Sequence, residues 1–499
     1  MQGKVYLLGA GSGDLELITL KALNCLKKAD VVIYDSLINK KILSFANKKA
    51  EMLFVGKRCG KHSLPQEEIN SLLLDKALEH KTIVRLKGGD PFIFGRGGEE
   101  ALFLNQKGII FEIISGVSSY YSAAAYAGIP VTHRGISSSF HVISGHNFCD
   151  SSGKIEELEI LAKLKGTLIF LMGLSNIKNI TETLIKFGKS LDTPAAVILN
   201  GTMPSQITIV GTLENISQKY DECKDNSAPG VIIVGEVVNL RENLCWFEKK
   251  PLWSRKIIVT RAKSQNRGFL QKIEELGAEA LEFPVIEINP IADDQNIVNM
   301  YKKLALYDWI VFTSVNAVEI FIKKLISNNL DIRDLGNAKL CAIGEATAEA
   351  LEKKLLKVEI MPDEFVSESF AETTKANIKE GERVLMPCAE DSREILSAEL
   401  SHNGILIDVV HLYETVLPEY DREELKTILD EADSITFTSS STVINFLAIM
   451  NNERLKFPHN LKVYCLGPIT SETATKNNIN VYKTADEYTI DELINVLTQ

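Results

Sequence analysis

Short apolar runs of four to eight residues recur along the chain, and most of them end in Gly, Ser or Thr. In the first half they are KVYLLGAG, DVVIYD, EMLFVG, TIVRLKGG, FEIISG, FHVISG, TLIFLMG, AAVILNG and GVIIVGEVV. In the second half they are KIIVTRA, DWIVFTS, KLCAIG, ERVLMPC, DVVHLYET, SITFTSS and KVYCLG. Between them lie longer stretches with apolar residues at helical spacing. Runs this short and continuously apolar fit strands covered on both faces, with ligand loops at their carboxyl ends. The pattern predicts an α/β protein.

Two strand series are separated near LRENLCWFEKKPLWSRK (240–256), where two tryptophans, a charge cluster and Pro251 fall together. The second half also contains an internal repeat. DWIVFTSVNAVEIFI (308–322) matches DSITFTSSSTVINFL (433–447), and KLCAIGEATAEA (339–350) matches KVYCLGPITSET (462–473). Gly344/Gly467, Thr347/Thr470 and Glu349/Glu472 coincide, as do Val358/Val481, Asp363/Asp486 and Glu364/Glu487. Two similar α/β lobes are expected, with hydroxyl-bearing loops facing a shared cleft.

Composition adds exclusions. The 499 residues leave room for about three domains, with 45% hydrophobic and 24% charged residues. A net charge of −11 argues against nucleic acid or an anionic membrane as main partner. An anionic substrate would need a locally basic cleft. MQGKVYLLGAGSGD enters a strand pattern at once, unlike a signal peptide, and no segment reaches the ~18 apolar residues of a membrane span. A cytoplasmic location is expected. The eight cysteines show no CxxC pair and no zinc-like Cys/His spacing, which predicts reduced thiols and no metal.

Candidate chemistry gathers at glycine. RLKGGDPFIFGRGGEE (85–100) holds five glycines in sixteen residues directly after an apolar run. Glycine lets backbone groups approach a ligand without a Cβ in the way, so a ligand site is favoured over a plain turn. GAGSGD (9–14) follows the first strand, and DVVIYD ends in Asp35 at about the distance where dinucleotide folds hold a ribose. The G-x-G-x-x-G fingerprint nevertheless fails, because position 14 is Asp. No Gly-Lys-Ser/Thr follows, so a P-loop is excluded. On these residues alone an NAD-dependent oxidoreductase stays open. GKRCGKH (56–62) places Lys57, Arg58 and Lys61 together, with Arg85, Lys87, Arg96 and Arg134 in other loops. They form either a solvated charge run or a patch for a polyanion.

Taken in order, GAGSGD, ADVVIYDSL, VGKRCGKHSLPQEEIN, VRLKGGDPFIFGRGGEE, YAGIPVTHRG, TLIFLMG, TPAAVILNGTMPSQ and GEVVNLR resemble the uroporphyrinogen-III C-methyltransferases. These enzymes use S-adenosylmethionine (SAM), and the resemblance covers about residues 3–245. It implies the two-subdomain tetrapyrrole methylase fold and SAM as methyl donor. It places SAM at Ser12, Gly88, Gly89, Asp90, Ile93, Ser118, Ser119, Met172 and Gly201. Bare backbone suits the adenosine and methionine parts, and a carboxylate suits an ammonium or ribose hydroxyl. Taken alone, Met172 would read as core packing. Two departures stand out: Ser12 where the family has Pro, and SGVSSY (115–120) where it has PGITSA.

The same resemblance gives acid–base roles to Asp35 and Lys57, which alone would read as a turn residue and a surface charge. Methyl transfer to a ring carbon needs an in-line donor and a base to remove a proton afterwards. Arg58, Lys61, Arg85, Arg96, His133 and Arg134 would face the eight carboxylates of the porphyrinogen.

After residue 255 no Ser-His-Asp set, metal cluster or phosphate loop occurs, and Ser/Thr-rich loops end several strands. These residues alone fit a two-lobed binding module as well as an enzyme. IIVTRA, FPVIEI, DWIVFTSVNAV, AIGEATAEAL, LYETV, ITFTSSSTV and CLGPITSETA resemble uroporphyrinogen-III synthase over roughly 255–495. That family closes hydroxymethylbilane to uroporphyrinogen III, losing water and inverting the last ring. The resemblance assigns help to the leaving hydroxyl to Tyr413 and cleft contacts to Thr347 and Thr470, with Thr313, Ser314, Thr438 and Ser439 as further candidates. A helix N-cap is an equal reading for any one of these hydroxyls, and Tyr413 alone could be core.

The expected layout is therefore 1–245 for the methylase fold, 246–254 as linker and 255–499 for a two-lobed α/β synthase fold. One lobe would hold 255–290 with 418–499, and the other 291–412. The product of the second half is the substrate of the first. The expectation is a bifunctional enzyme acting on hydroxymethylbilane and uroporphyrinogen III, giving precorrin-2 on the route to cobalamin or sirohaem. A homodimer through the first domain and contact with hydroxymethylbilane synthase are expected as well. The alternative for the second half is a non-catalytic tetrapyrrole-binding module.

Overall fold

The computed structural model describes residues 3–56, 64–79, 81–146, 155–223, 228–261, 266–361, 377–390 and 404–499. Contacts divide the chain into two compact units. The first comprises residues 1–256 with 271–280 and residue 498, and the second comprises 257–270, 281–497 and 499. Among the described residues the architecture is α/β throughout, built on four five-stranded sheets.

The first unit opens with β1 (Lys4–Gly9), β2 (Val31–Tyr34), β3 (Glu51–Phe54), β4 (Thr82–Lys87) and β5 (Ile110–Ile114). They form an all-parallel sheet of order β3-β2-β4-β1-β5. Alternate side chains go to opposite faces. Val5, Leu7, Val31, Ile33 and Ile83 meet the helices Gln66–Leu78 and Gly97–Gln106, while Leu8, Val32, Val84 and Leu86 meet Leu20–Leu26. Helices on both faces explain the near-continuous apolar runs. The strand-to-loop exits after β1, β2, β4 and β5 therefore point one way.

The second sheet of this unit is mixed: β6 (Phe140–Ser144), β7 (Thr167–Leu171), β8 (Pro194–Leu199), β9 (Ile207–Thr212) and β10 (Gly230–Val234). Its order is β6-β7-β10-β8-β9, with β6/β7 parallel and the other pairs antiparallel. The run GVIIVGEVV is a strand only to Val234. Gly235, at φ +146°, breaks it, and Glu236–Leu240 turns into a 3₁₀ segment. Ala123 and Ala124 of the helix Ser119–Tyr126, with Ala127 at its C-cap, pack on one face of this sheet, against Ile169, Leu171, Ala196 and Ile198.

The second unit's strands are β11 (Lys256–Val259), β12 (Glu279–Glu282), β13 (Glu287–Pro290), β14 (Trp309–Phe312), β15 (Lys339–Ala342), β16 (Arg383–Ala389), β17 (Leu406–Val416), β18 (Ser434–Phe437), β19 (Lys462–Cys465) and β20 (Val481–Thr484). One sheet has order β12-β11-β18-β19-β20, the other β13-β17-β16-β14-β15. The repeated segments occupy equivalent places. β14 leads into the helix Val315–Ser327 and β18 into Ser440–Asn452, and β15 and β19 lie parallel beside β14 and β18. Even the thiols agree: Cys341 and Cys465 are both buried, and burial pushes each up to about 12.

Candidate functional site

Three loops of the first parallel sheet meet at its carboxyl edge. The loop after β1 and the loop after β4 bond reciprocally, Gly89 N–H to Gly11 O at 2.7 Å and Gly11 N–H to Gly89 O at 3.3 Å. The loop after β5 joins them through Asp90, whose Oδ2 accepts from Gly116 N–H at 3.0 Å and whose Oδ1 accepts from Phe92 N–H at 2.8 Å. Backbones approach so closely that a Cβ on Gly9 would lie 2.6 Å from Gly116 N, and one on Gly116 would lie 2.8 Å from Gly9 C. Gly89 holds φ +65° and faces the start of the helix Ser119–Tyr126, where a Cβ would come 3.8 Å from Ser118 Cα and 3.9 Å from Ser119 N. The result is a glycine-walled edge beside backbone N–H groups that no helix turn satisfies.

The second sheet completes the edge. Gly201, after β8, packs against Ala123 of the same helix, with Ala123 Cα 3.1 Å from the place of a Cβ. Thr202 Oγ1 accepts from Asp14 N–H at 3.0 Å and lies 3.4 Å from Ser12 Oγ, which also bonds Ser122 Oγ at 2.8 Å. Asn39 Nδ2 donates to Gly13 O at 2.9 Å, and Gly88 abuts Leu37. Ser12, Gly88, Gly89, Asp90, Ser118, Ser119 and Gly201 thus belong to one connected constellation, with Ile93 beside it on the loop after β4. Met172 sits exposed at the end of β7. It shares with Asn200 and Thr202 a left-handed backbone (φ 55°, 48° and 73°) that residues other than glycine rarely adopt.

Asp35 directly follows β2, and its Oδ1 accepts from Leu37 N–H at 3.1 Å. Its Oδ2 accepts from Arg85 at 3.2 Å. Behind it lies a buried charge network: Glu100 Oε1 accepts from Arg85 Nε at 3.2 Å, Lys87 Nζ at 3.0 Å and Gln66 Nε2 at 3.2 Å. Burial, and then Arg85, push the Lys87 ammonium pKa down. Arg85 is 3% exposed and also donates to the carbonyls of Ile33 and Leu86. The expectation that Arg85 is a loop cation lining a substrate wall is therefore corrected. Its fork is consumed inside the fold, where it orients Asp35. Asp90 likewise directs both oxygens at backbone N–H groups, so it fixes the loops in addition to any ligand contact.

Of the other expected cations, Arg96 is exposed and paired with Glu99 at 2.7 Å, and His133 and Arg134 sit exposed on the turn before β6. Lys57, Arg58 and Lys61 lie outside the described residues. Sequence reasoning missed Asn39, Ser122, Tyr126 and Thr202, which wire the loops together. Only the Asn-Gly turn in LNGT hinted at the last of these.

In the second unit, Tyr413 on β17 is buried in the apolar cluster around Phe312, Phe321 and Leu385. Its hydroxyl lies 2.9 Å from Ser314 Oγ, which caps the helix Val315–Ser327 by accepting from Ala317 N–H at 3.1 Å. Ser439 caps Ser440–Asn452 in the same way, accepting from Thr442 N–H at 3.3 Å. Thr313 and Thr438 precede these caps and are half-buried. Thr347 and Thr470 occupy matching positions on the helices Glu345–Glu352 and Pro468–Lys476, and both are buried. The N-cap reading thus holds for the two serines. Among the described residues, no group of three or more His, Cys, Asp or Glu is placed to hold a metal ion, and no helix is long and apolar enough to cross a membrane.

The sequence model of the tetrapyrrole (corrin/porphyrin) methylases matches residues 4–217, and that of uroporphyrinogen-III synthase HemD matches residues 268–495. A porphyrin biosynthesis protein HemD from Ruminiclostridium josui is 40% identical over 500 residues, spanning 100% of this chain and 98% of that protein. A uroporphyrinogen-III C-methyltransferase from Methanocaldococcus jannaschii is 50% identical over 246 residues, 49% of this chain and 100% of its own length. Among solved structures, a uroporphyrin-III C-methyltransferase from Thermus thermophilus, complexed with S-adenyl homocysteine, is 39% identical with a TM-score of 0.41. It covers 48% of this chain and 99% of that one.

Proposed function

The chain belongs to the tetrapyrrole methylases in its first half and to the uroporphyrinogen-III synthases in its second, and on that premise we propose a two-step enzyme of tetrapyrrole biosynthesis. The second half closes hydroxymethylbilane to uroporphyrinogen III with loss of water and inversion of ring D. The first half then transfers two methyl groups from SAM to that product, giving precorrin-2. The domains are 1–245 and 255–499. The expected linker 246–254 is corrected in part, because Trp246, Phe247 and Glu248 pack within the first unit. So is the lobe division, because β13 (Glu287–Pro290) pairs with β17 in the sheet of the other lobe. A homodimer and a cytoplasmic setting complete the reading.

The observation that carries it is the convergence of the loops after β1, β4, β5 and β8 on the start of the helix Ser119–Tyr126. Bare backbone at Gly88 and Gly89, the hydroxyls of Ser12, Ser118 and Ser119, and the side chains of Ile93 and Met172 fit a ligand that is part zwitterion and part flat heterocycle. SAM, when bound, supplies a methyl group on a sulfonium. Asp35, aimed by Arg85 and Leu37 N–H, takes up the proton that the methylated ring must lose. Lys57 shares this acid–base role, and Arg58, Lys61, Arg96, His133 and Arg134 receive the substrate carboxylates. In the second half the Tyr413 hydroxyl, oriented by Ser314, protonates the departing hydroxyl as the C–O bond breaks and water leaves. Thr313, Thr347, Thr438, Ser439 and Thr470 hold the chain while the ring closes.

Product analysis from hydroxymethylbilane, with and without SAM, tests both halves. Type III uroporphyrinogen without SAM, gaining two methyl masses with it, is the expected result. Type I isomer at the spontaneous rate would mean that the second half only binds tetrapyrroles. No methyl gain on supplied uroporphyrinogen III would overturn the reading of the first half.

A further inference from the structure

One segment of the first unit, Arg241–Lys250, lies beyond residues 4–217, which the methylase family model matches. It reaches back to the cofactor edge by two independent routes. The polar route starts at Glu248. Its Oε1 accepts from Gln206 Nε2 at 3.0 Å and from Thr208 Oγ1 at 2.6 Å, and its Oε2 accepts from Arg241. Gln206, almost wholly buried, passes the contact on, its Oε1 accepting from Thr202 N–H at 2.9 Å. Thr202 is the residue that holds Asp14 and Ser12. Arg241 also donates to Ala127 O at the end of the helix Ser119–Tyr126.

The aromatic route starts at Trp246 and Phe247, whose rings lie 5.1 and 4.8 Å from that of Tyr126. Trp246 Nε1 donates to Ala125 O at 3.1 Å. Tyr126 in turn donates its hydroxyl to Asp14 Oδ2 at 2.7 Å. Burial and that carboxylate raise the phenol's pKa, which keeps the proton on the donor.

We propose that Glu248 is a positioning residue for SAM binding, holding Thr202 and through it the Ser12–Asp14 loop in the binding geometry by way of Gln206. Packing alone does not account for the arrangement. A buried polar chain is costly unless each member is satisfied, and an apolar tail would cover the helix without one. The chain terminates on Thr202, a residue held in left-handed backbone (φ 73°), which the surrounding contacts must enforce.

The inference rests on the SAM reading above, and the test separates the two. S-adenosylhomocysteine is titrated calorimetrically into the full-length protein, its Glu248→Ala and its Glu248→Gln variants. Melting curves and ring closure by the second half serve as folding controls. Glu248→Ala is expected to weaken S-adenosylhomocysteine roughly tenfold, the scale of one lost charge-assisted hydrogen bond. Glu248→Gln, which keeps one acceptor, should fall in between. The KM for uroporphyrinogen III and the rate of ring closure should stay unchanged. Unaltered affinity in a folded Glu248→Ala protein overturns the proposal. So does a parallel loss of affinity, tetrapyrrole KM and melting temperature in both variants, because that marks packing alone. If the unsubstituted protein takes up no S-adenosylhomocysteine, the SAM reading fails and this inference falls with it.

Discussion

The hydroxyl of Tyr413 lies 2.9 Å from the hydroxyl of Ser314, which also caps the helix that follows β14. One oxygen therefore orients a buried phenol and starts a helix. Tyr413 is only 5% exposed, yet its polar end is fixed in one direction, the arrangement expected of a group that must deliver a proton to one place.

Tyr413→Phe removes that hydroxyl and keeps the ring in its apolar cluster. The melting temperature should change little, and ring closure of hydroxymethylbilane should slow about a hundredfold, the low end of what a positioned acid contributes. Stopped-flow assay with isomer analysis checks it. Closure at the unsubstituted rate would remove Tyr413 from the chemistry.

Ser314→Ala and Ser439→Ala make a matched pair, since both serines cap helices at φ −159°. Each should cost about 1 kcal/mol, the usual worth of an N-cap. Ser314→Ala should also lower the kcat of ring closure, because Ser314 orients Tyr413, whereas Ser439→Ala should act on the KM for hydroxymethylbilane and leave kcat nearly unchanged. Equal kcat in the two variants would make the Ser314 contact incidental.

Gly89→Ala and Gly116→Ala should fail differently. Gly89 has room for a Cβ but a left-handed backbone, so alanine should cost about 1–2 kcal/mol and blunt SAM binding. A Cβ on Gly116 would run into the backbone of Gly9 and Gly89. Its substitution should reach the top of the ~1–3 kcal/mol range of overpacking. Chemical denaturation of the two variants gives the order.

Lys87→Met probes the buried charge network by pH. In the fold the Lys87 pKa sits below its ordinary 10.5, chiefly because burial disfavours the ammonium. Between the lowered value and 10.5 the unfolded chain binds more protons than the folded one, so this group makes stability rise with pH in that window and fall as pH drops through the folded value. The stability difference between the unsubstituted protein and the variant should therefore grow with pH on the alkaline side. A difference independent of pH would mean that Lys87 is not desolvated.

The sequence disclosed most of the fold because sixteen strands announce themselves as apolar runs. The four it hid, β9, β12, β13 and β20, are all edge strands. An edge strand needs no apolar run: EALE, EINP and VYKT are short and half polar. At the site, glycine clusters and strand-end residues were legible because their chemistry is unusual in itself. The inward turn of Arg85 was not, since a cation in a glycine loop looks the same whether it meets a ligand or the buried Glu100. Nor did any local signal reveal that Thr202, Gln206 and Glu248 form one chain, because their connection exists only across the fold.

Gly9, Gly89 and Gly116 lean on one another's backbones at the point where three strands end. In evolutionary terms Gly9 and Gly116 form a single locked character, while Gly89 is held by its left-handed backbone. A side chain gained at Gly9 or Gly116 collides with the other strand ends. No single substitution there opens a path to a different loop, so change at this edge is channelled into the residues that flank the contact.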